Sequence, residues 1–212
     1  MKTCSMNFAD PLVGGYMSEE SLYAYIEQYA KEHELPQTKK ALLFAKEKHK
    51  GQTRKGEIIP YIYHPLMVAY HAIAIGLDED ALVAAALLHD VCEDCGVAIM
   101  DLPVDEPVKE AVRLLTKTKD KSLEEYYAAI SRNRIAIFVK ILDRINNVSD
   151  MAKEFSIQKM KQYITGTETY VYSLFATAKE NYSEYAEQIF LMEYHMVSVV
   201  SSIKCLIESL GS

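Results

Sequence analysis

His89, Asp90, Glu93 and Asp94 crowd into the segment AALLHDVCEDCG, directly behind the apolar run Ala81–Leu88. On a continuous helix, at about 100° per residue, Glu93 stands one turn beyond His89 and Asp94 one turn beyond Asp90, so the four share one side. Carboxylates this close repel one another unless a cation or a basic ligand compensates. A solvated acidic helix end is the ordinary reading of such a cluster. Two other segments argue against it. His64 stands in PYIYHPL, between aromatics and a proline. Asp143 stands in FVKILDRINN, with Phe138, Ile141, Leu142 and Ile145 around it and Asn147 one turn on. An acid set in an apolar helix surface needs a charged or hydrogen-bonded partner. A metal held by His89 and Asp90 would supply one, and the three segments then explain one another.

The elements that must position these side chains read as helices throughout. Apolar residues recur at helical spacing in almost every window, and short alternating β-branched runs are missing. The fold expected is all-α, a compact multi-helix bundle of about 8–10 helices in one domain spanning 1–212. Ser18 caps a helix running to about His33, and Pro36 separates it from one running from Gln37 to about Lys50. Gly51 to Pro60 reads as a loop. Further helices are expected over 65–76, 79–94, 106–117, 122–131 and 133–150. A last one spans 183–210, where Ile189, Met196, Val200, Ile203 and Ile207 form a stripe for core packing or a subunit contact. A homo-oligomer is compatible with that stripe.

Composition excludes several classes. The chain has 212 residues, is 50% hydrophobic and carries a net charge of −7, which argues against a nucleic-acid partner because a phosphate backbone selects a basic face. The run Ala81–Leu88 falls far short of the roughly 18–20 apolar residues of a membrane span, so no membrane partner is expected. No apolar stretch with a small-residue cleavage site opens the chain. Cys4, Cys92, Cys95 and Cys205 are too irregularly spaced for a disulfide framework, so the expected location is cytoplasmic. Cys92 and Cys95 form a single CxxC with no second pair, and read as packing residues.

Taken in order, GQTRKGEIIPYIYHP, ALLHDVCED and VKILDRINN resemble the HD-superfamily hydrolase domain of RelA/SpoT proteins, with weaker echoes in RLLTK and ETYVYS. The resemblance covers roughly 37–175. It implies His64, His89, Asp90 and Asp143 as ligands of one divalent ion, usually Mn²⁺, with Glu93 and Asp94 as the catalytic acids serving the hydrolytic water. It implies Arg54, Lys55 and Asn147 as nucleotide-binding residues, and a stand-alone small alarmone hydrolase. Two imidazoles and two carboxylates leave about two open positions on a six-coordinate ion, as manganese prefers. Water activated there would attack the 3′-pyrophosphate of (p)ppGpp. Lys46, Lys48, Lys50, Arg54 and Lys55 form the densest basic cluster for such a small-molecule nucleotide. Tyr163 is placed either to stack on a purine or simply to pack. Where the family continues the asparagine as N-x-R-T, this chain has Ser149 and Asp150. An arginine fork is therefore expected to be missing from the ligand's surroundings. Another nucleotide, ppApp-like or NADPH, and a non-catalytic alarmone-binding module are the competing readings.

Overall fold

The computed structural model describes residues 17–53 and 59–210. Arg54 and Lys55 lie outside the described residues. Every long element is a helix, as expected.

Helix α1 (Glu19–Glu32) begins where Ser18 Oγ accepts from the Ser21 amide, and it buries Leu22, Ile26 and Ala30, spaced four apart. Helix α2 (Pro36–Lys48) has Pro at its first position and no cap of its own. Asp80 supplies one from a distance, accepting from the amides of Gln37 and Thr38 at 2.9 and 2.7 Å. Gly51 (φ 79°) turns the chain beyond it, and Thr53 meets Pro60 in an antiparallel bridge. Helix α3 (Tyr63–Ala74) follows, and then α4 (Asp80–Leu88), whose residues Leu82 to Leu88 are wholly buried. It is the hub of the fold, packing on α2 and α3, on α6 (Glu106–Leu115) and on α8 (Arg134–Glu154). A helix this short and this apolar survives in water only because neighbours cover it on every side.

The continuous helix expected over 79–94 is not found. Helix α4 ends at Leu88, and a separate short helix, α5 (Val91–Cys95), begins after Asp90 and ends at Gly96 (φ 67°). The Ala86 carbonyl, which a continuing helix would offer to the Asp90 amide, accepts instead from His89 Nδ1 at 2.8 Å. Asp90 then sits at φ −101°, ψ −9°, off the regular helical values. The imidazole thus competes with the backbone for its own helix.

Helix α7 (Leu123–Ile130) opens with a capping box between Ser122 and Glu125. Helix α9 (Ile157–Gly166), a widened π-type turn at Thr167–Val171, and α10 (Tyr172–Asn181) lead to α11 (Ala186–Leu210). The expected stripe of α11 is buried against α8, α9 and α10. By length and composition the stretch Ser183–Ser209 would suffice to cross a membrane, with a mean hydropathy of 1.3. Its stripe packs into this bundle, while Phe190, Leu191, Tyr194, Val197 and Leu206 on α11 are exposed.

Candidate metal centre

Three helices bring the four ligand candidates together. His64 comes from the first turn of α3, His89 and Asp90 from the break between α4 and α5, and Asp143 from the middle of α8. Both imidazoles are fixed through Nδ1: that of His64 lies 2.6 Å from Asn146 Oδ1, and that of His89 lies 2.8 Å from the Ala86 carbonyl. Acceptors on Nδ1 place the proton there and turn the Nε2 lone pair toward the other side chains. There, Asp90 Oδ2 lies 3.1 Å from His89 Nε2 and 3.7 Å from His64 Nε2. Asp143 Oδ1 lies 3.2 Å from His64 Nε2 and 3.8 Å from His89 Nε2. Adjacent ligands of an octahedral ion with bonds near 2.1 Å stand about 3 Å apart. The imidazole–carboxylate distances are slightly wider than that; His64, His89 and Asp90 offer atoms all within 4.8 Å of one another for a small divalent ion, and Asp143 stands beside this group. His89 Nε2 is buried and makes no hydrogen bond among the described residues, which is the state of a donor atom whose partner is an ion.

The charges agree. Burial opposes a charge on His89, yet the carboxylates of Asp90 and Asp143 outweigh it and push the imidazole up to about 9. Burial likewise opposes ionisation of Asp90 and Asp143, but the imidazoles and, for Asp143, Lys140 hold both carboxyls well below the usual range. The apo cluster therefore collects a proton that a divalent ion would displace. Around it, Lys140 Nζ lies 2.9 Å from Asp143 Oδ2, and Asn147 Nδ2 donates to Asp143 Oδ1 at 2.5 Å. The Tyr61 hydroxyl donates to Asp90 Oδ2 at 2.8 Å, and its ring stacks on His49 at 4.9 Å between centroids.

The four ligand candidates line a cavity of about 490 Å³. Its walls carry the aromatics Tyr126, Tyr127, Phe155 and Tyr163, and the cations Lys117, Lys140, Arg144 and Lys159. Arg144 lies over the Tyr163 ring, 4.0 Å from its centroid, and donates to the Tyr127 hydroxyl at 3.0 Å. Tyr163 thus reaches the cavity while also packing, edge-on, against Phe155.

Of the two acids beyond the pair, Glu93 lines the cavity, its Oε2 accepting from the Lys117 amide at 3.0 Å. Asp94 is absent from the described lining and acts on the hydroxyl of Tyr61, which does line it. Both stand on α5, where neighbouring positions point about 100° apart. Asn147 lines the cavity; Ser149 and Asp150 do not, and line a second cavity behind α8. The gap left by the missing arginine is therefore not where the sequence argument put it, because Ser149 points toward α11, near His195 Nε2 at 3.1 Å. Cys95 packs on the Lys48 carbonyl and on His49, and burial pushes the Cys92 thiol up to about 11. Both are free thiols.

A family model described as an HD domain matches residues 41–122. The bifunctional (p)ppGpp synthase/hydrolase SpoT of Escherichia coli is 37% identical over 144 residues, covering 61% of this chain and 20% of that protein. The chain thus spans about a fifth of the length of the first bacterial relatives it matches. The guanosine-3′,5′-bis(diphosphate) 3′-pyrophosphohydrolase MESH1 of Xenopus tropicalis is 34% identical over 134 residues, covering 57% of this chain and 74% of that protein. This chain belongs to the RelA/SpoT family of HD-domain proteins. A solved structure, described as a metazoan ortholog of SpoT that hydrolyzes ppGpp, shares its fold at a TM-score of 0.62 and 23% identity, over 79% of this chain and 95% of that one.

In this RelA/SpoT-family chain Asn146, Lys140, Tyr61 and Arg144 also shape the site, though none stands out as a site residue in the sequence. Lys140 and Arg144 were legible in principle, one turn before Asp143 and one residue after it. Asn146 and Tyr61 act only through contacts between segments distant in sequence, which no local pattern carries.

Proposed function

We propose that the chain is a divalent-metal (p)ppGpp 3′-pyrophosphohydrolase built as a single HD domain over 1–212 and working in the cytoplasm. The observation that carries this reading is the cluster of His64, His89, Asp90 and Asp143 atoms at 3.1–3.8 Å, beside a cavity walled by aromatics and cations. Relatives named for that activity support the choice of substrate.

These four side chains would hold the ion, for which we propose Mn²⁺ on the mixed nitrogen and oxygen donor set. When bound, the ion supplies Lewis acidity, lowering the pKa of water and polarising a phosphoryl oxygen. Glu93, which lines the cavity, is positioned to take the water's proton. The water oxygen bonds to the phosphorus attached at the 3′-oxygen, and that P–O bond breaks. Pyrophosphate leaves, and the ribose 3′-oxygen regains a proton. Lys117, Arg144 and Lys159 balance the phosphate charge, and Lys140 is committed to Asp143. Asn147 orients Asp143 from one side. Tyr163, held under Arg144, offers a ring edge to the nucleoside. We assign Arg54 and Lys55 to the nucleotide, and Asp94 to orienting Asp90 through the hydroxyl of Tyr61.

The test is incubation of the chain and an Asp90→Ala variant with Mn²⁺ and ppGpp, GTP or NADPH, following pyrophosphate and phosphate. Pyrophosphate from ppGpp alone, lost in the variant, is the expected result. Normal metal binding with no product from any substrate would leave a binding module in its place.

A further inference from the structure

Behind α8 lies a second cavity of about 270 Å³, closed by α3 and α11. The rings of Tyr63 and Tyr70, with Met67 and Ile145, give it largely apolar walls, and its polar groups are His71, Asn146, Ser149, Asp150, His195 and the two tyrosine hydroxyls. Hydrogen bonds already made fix what most of these still offer. Ser149 Oγ donates its one proton to the Ile145 carbonyl at 2.8 Å, so at 3.1 Å it accepts from His195 Nε2–H. Neutral His195 then keeps an acceptor at Nδ1. Asn146 Oδ1 accepts from His64, which leaves the two amide N–H donors of Asn146. His71 makes no hydrogen bond among the described residues and faces His195 at 5.8 Å between ring centroids. Burial keeps both imidazoles uncharged, with His71 brought down to about 4.

The charge on the walls selects the ligand. The described lining contains one carboxylate, Asp150, and no lysine or arginine; Lys153 lies 3.5 Å from that carboxylate and is itself largely exposed. A phosphorylated ligand would meet the Asp150 carboxylate and no lysine or arginine on the described lining, so the walls favour an uncharged ligand. A flat neutral ring system with both N–H donors and a carbonyl acceptor meets a partner for each, between aromatic walls. The volume lies just below the roughly 300–1,000 Å³ of drug-sized sites, which suits one compact heterocycle.

We propose that this cavity is a binding site for a neutral nucleobase or nucleoside, separate from the metal centre and joined to it through Asn146. An occupant hydrogen-bonded to the Asn146 amide acts on the same side chain that orients His64, so the site is placed to adjust the metal ligand without touching it.

The probe is guanosine, titrated into the full chain at neutral pH while the imidazole C–H signals of His71 and His195 are followed by NMR. Saturable 1:1 movement of both is expected, with guanosine 5′-monophosphate at least about tenfold weaker because of its charge. Ala74→Trp, at the exposed mouth, and His195→Leu, which removes an acceptor, should each weaken guanosine by about tenfold with the melting transition retained. If Ala74→Trp fails to fold, His195→Leu decides alone. Stationary imidazole signals, equal binding of the monophosphate, or binding indifferent to His195→Leu would each overturn the proposal. None of these readouts depends on hydrolysis, so failure of the proposed activity would leave this test intact.

Discussion

Replacing Asn146 by Ala should loosen the metal centre from outside it. Asn146 Oδ1 is the acceptor for His64 Nδ1 at 2.6 Å, and the imidazole is only 3% exposed. Water therefore cannot easily take the amide's place, and an unpaired buried N–H costs about 1–3 kcal/mol. Some of that cost falls on folding. The rest falls on the ion, because an imidazole freed at Nδ1 can rotate or change tautomer and withdraw the Nε2 lone pair. Loss of such an outer partner commonly weakens metal binding by about 10–100-fold, or ~1.4–2.7 kcal/mol. Isothermal titration of Mn²⁺ into Asn146→Ala, with urea unfolding of the apo chain alongside, measures both parts. Asn146→Asp retains an acceptor at the same reach, and should bind Mn²⁺ within a few-fold of the parent. If the Ala variant, folded, binds Mn²⁺ within about twofold of the parent, the claim that Asn146 fixes the His64 ligand is wrong.

Lys140→Met removes the ammonium beside Asp143 Oδ2 and leaves a buried carboxylate without its main counter-charge. The apo chain should lose about 3–5 kcal/mol in urea unfolding, and saturating Mn²⁺ should restore a part; equal losses with and without metal would contradict the pairing. Tyr61→Phe removes the hydroxyl that donates to Asp90 Oδ2, a bond to a charged group worth ~1.5–3 kcal/mol. Mn²⁺ affinity should fall about tenfold while the far-ultraviolet circular dichroism is unchanged, and an unaltered affinity would remove Tyr61 from the site. Acid should destabilise the fold through His71. Its folded value of about 4 lies below the unfolded value of ~6.5, so the contribution is fully present above pH ~6.5 and is lost as pH falls toward 4. The shift corresponds to about 3 kcal/mol, and His71→Leu should flatten that part of the stability profile; an unchanged slope would place the acid sensitivity elsewhere. Ser149→Arg, which restores the family's arginine, should fill the cavity behind α8 and displace His195. No gain in pyrophosphate release from ppGpp is expected, and a rise of tenfold or more would show that position 149 serves the substrate after all.

The metal ligands were legible because each stands out against its own helix. Asp143 interrupts the apolar surface of Phe138, Ile141, Leu142 and Ile145, and His64 and His89 are the buried polar exceptions on α3 and at the end of α4. Helix ends were legible where a cap or a proline marks them, as at Ser18, Pro36 and Ser122. The break at His89 was not. Periodicity treats a histidine as one more helical position, whereas here its ring captures the Ala86 carbonyl. That hydrogen bond ends α4; Glu93 and Asp94 then follow on α5, about 100° apart around its axis, with Glu93 on the cavity side. The same limit applies to Ser149. Counting along the family motif places it near the ligand, but α8 is a cylinder. Position 147 faces the cavity, while 149, about 200° further round, faces α11. A residue's place in a motif fixes its type and its spacing; which side of a helix holds the substrate depends on what the opposite side packs against, and here that is α11, with His195 the side chain Ser149 meets.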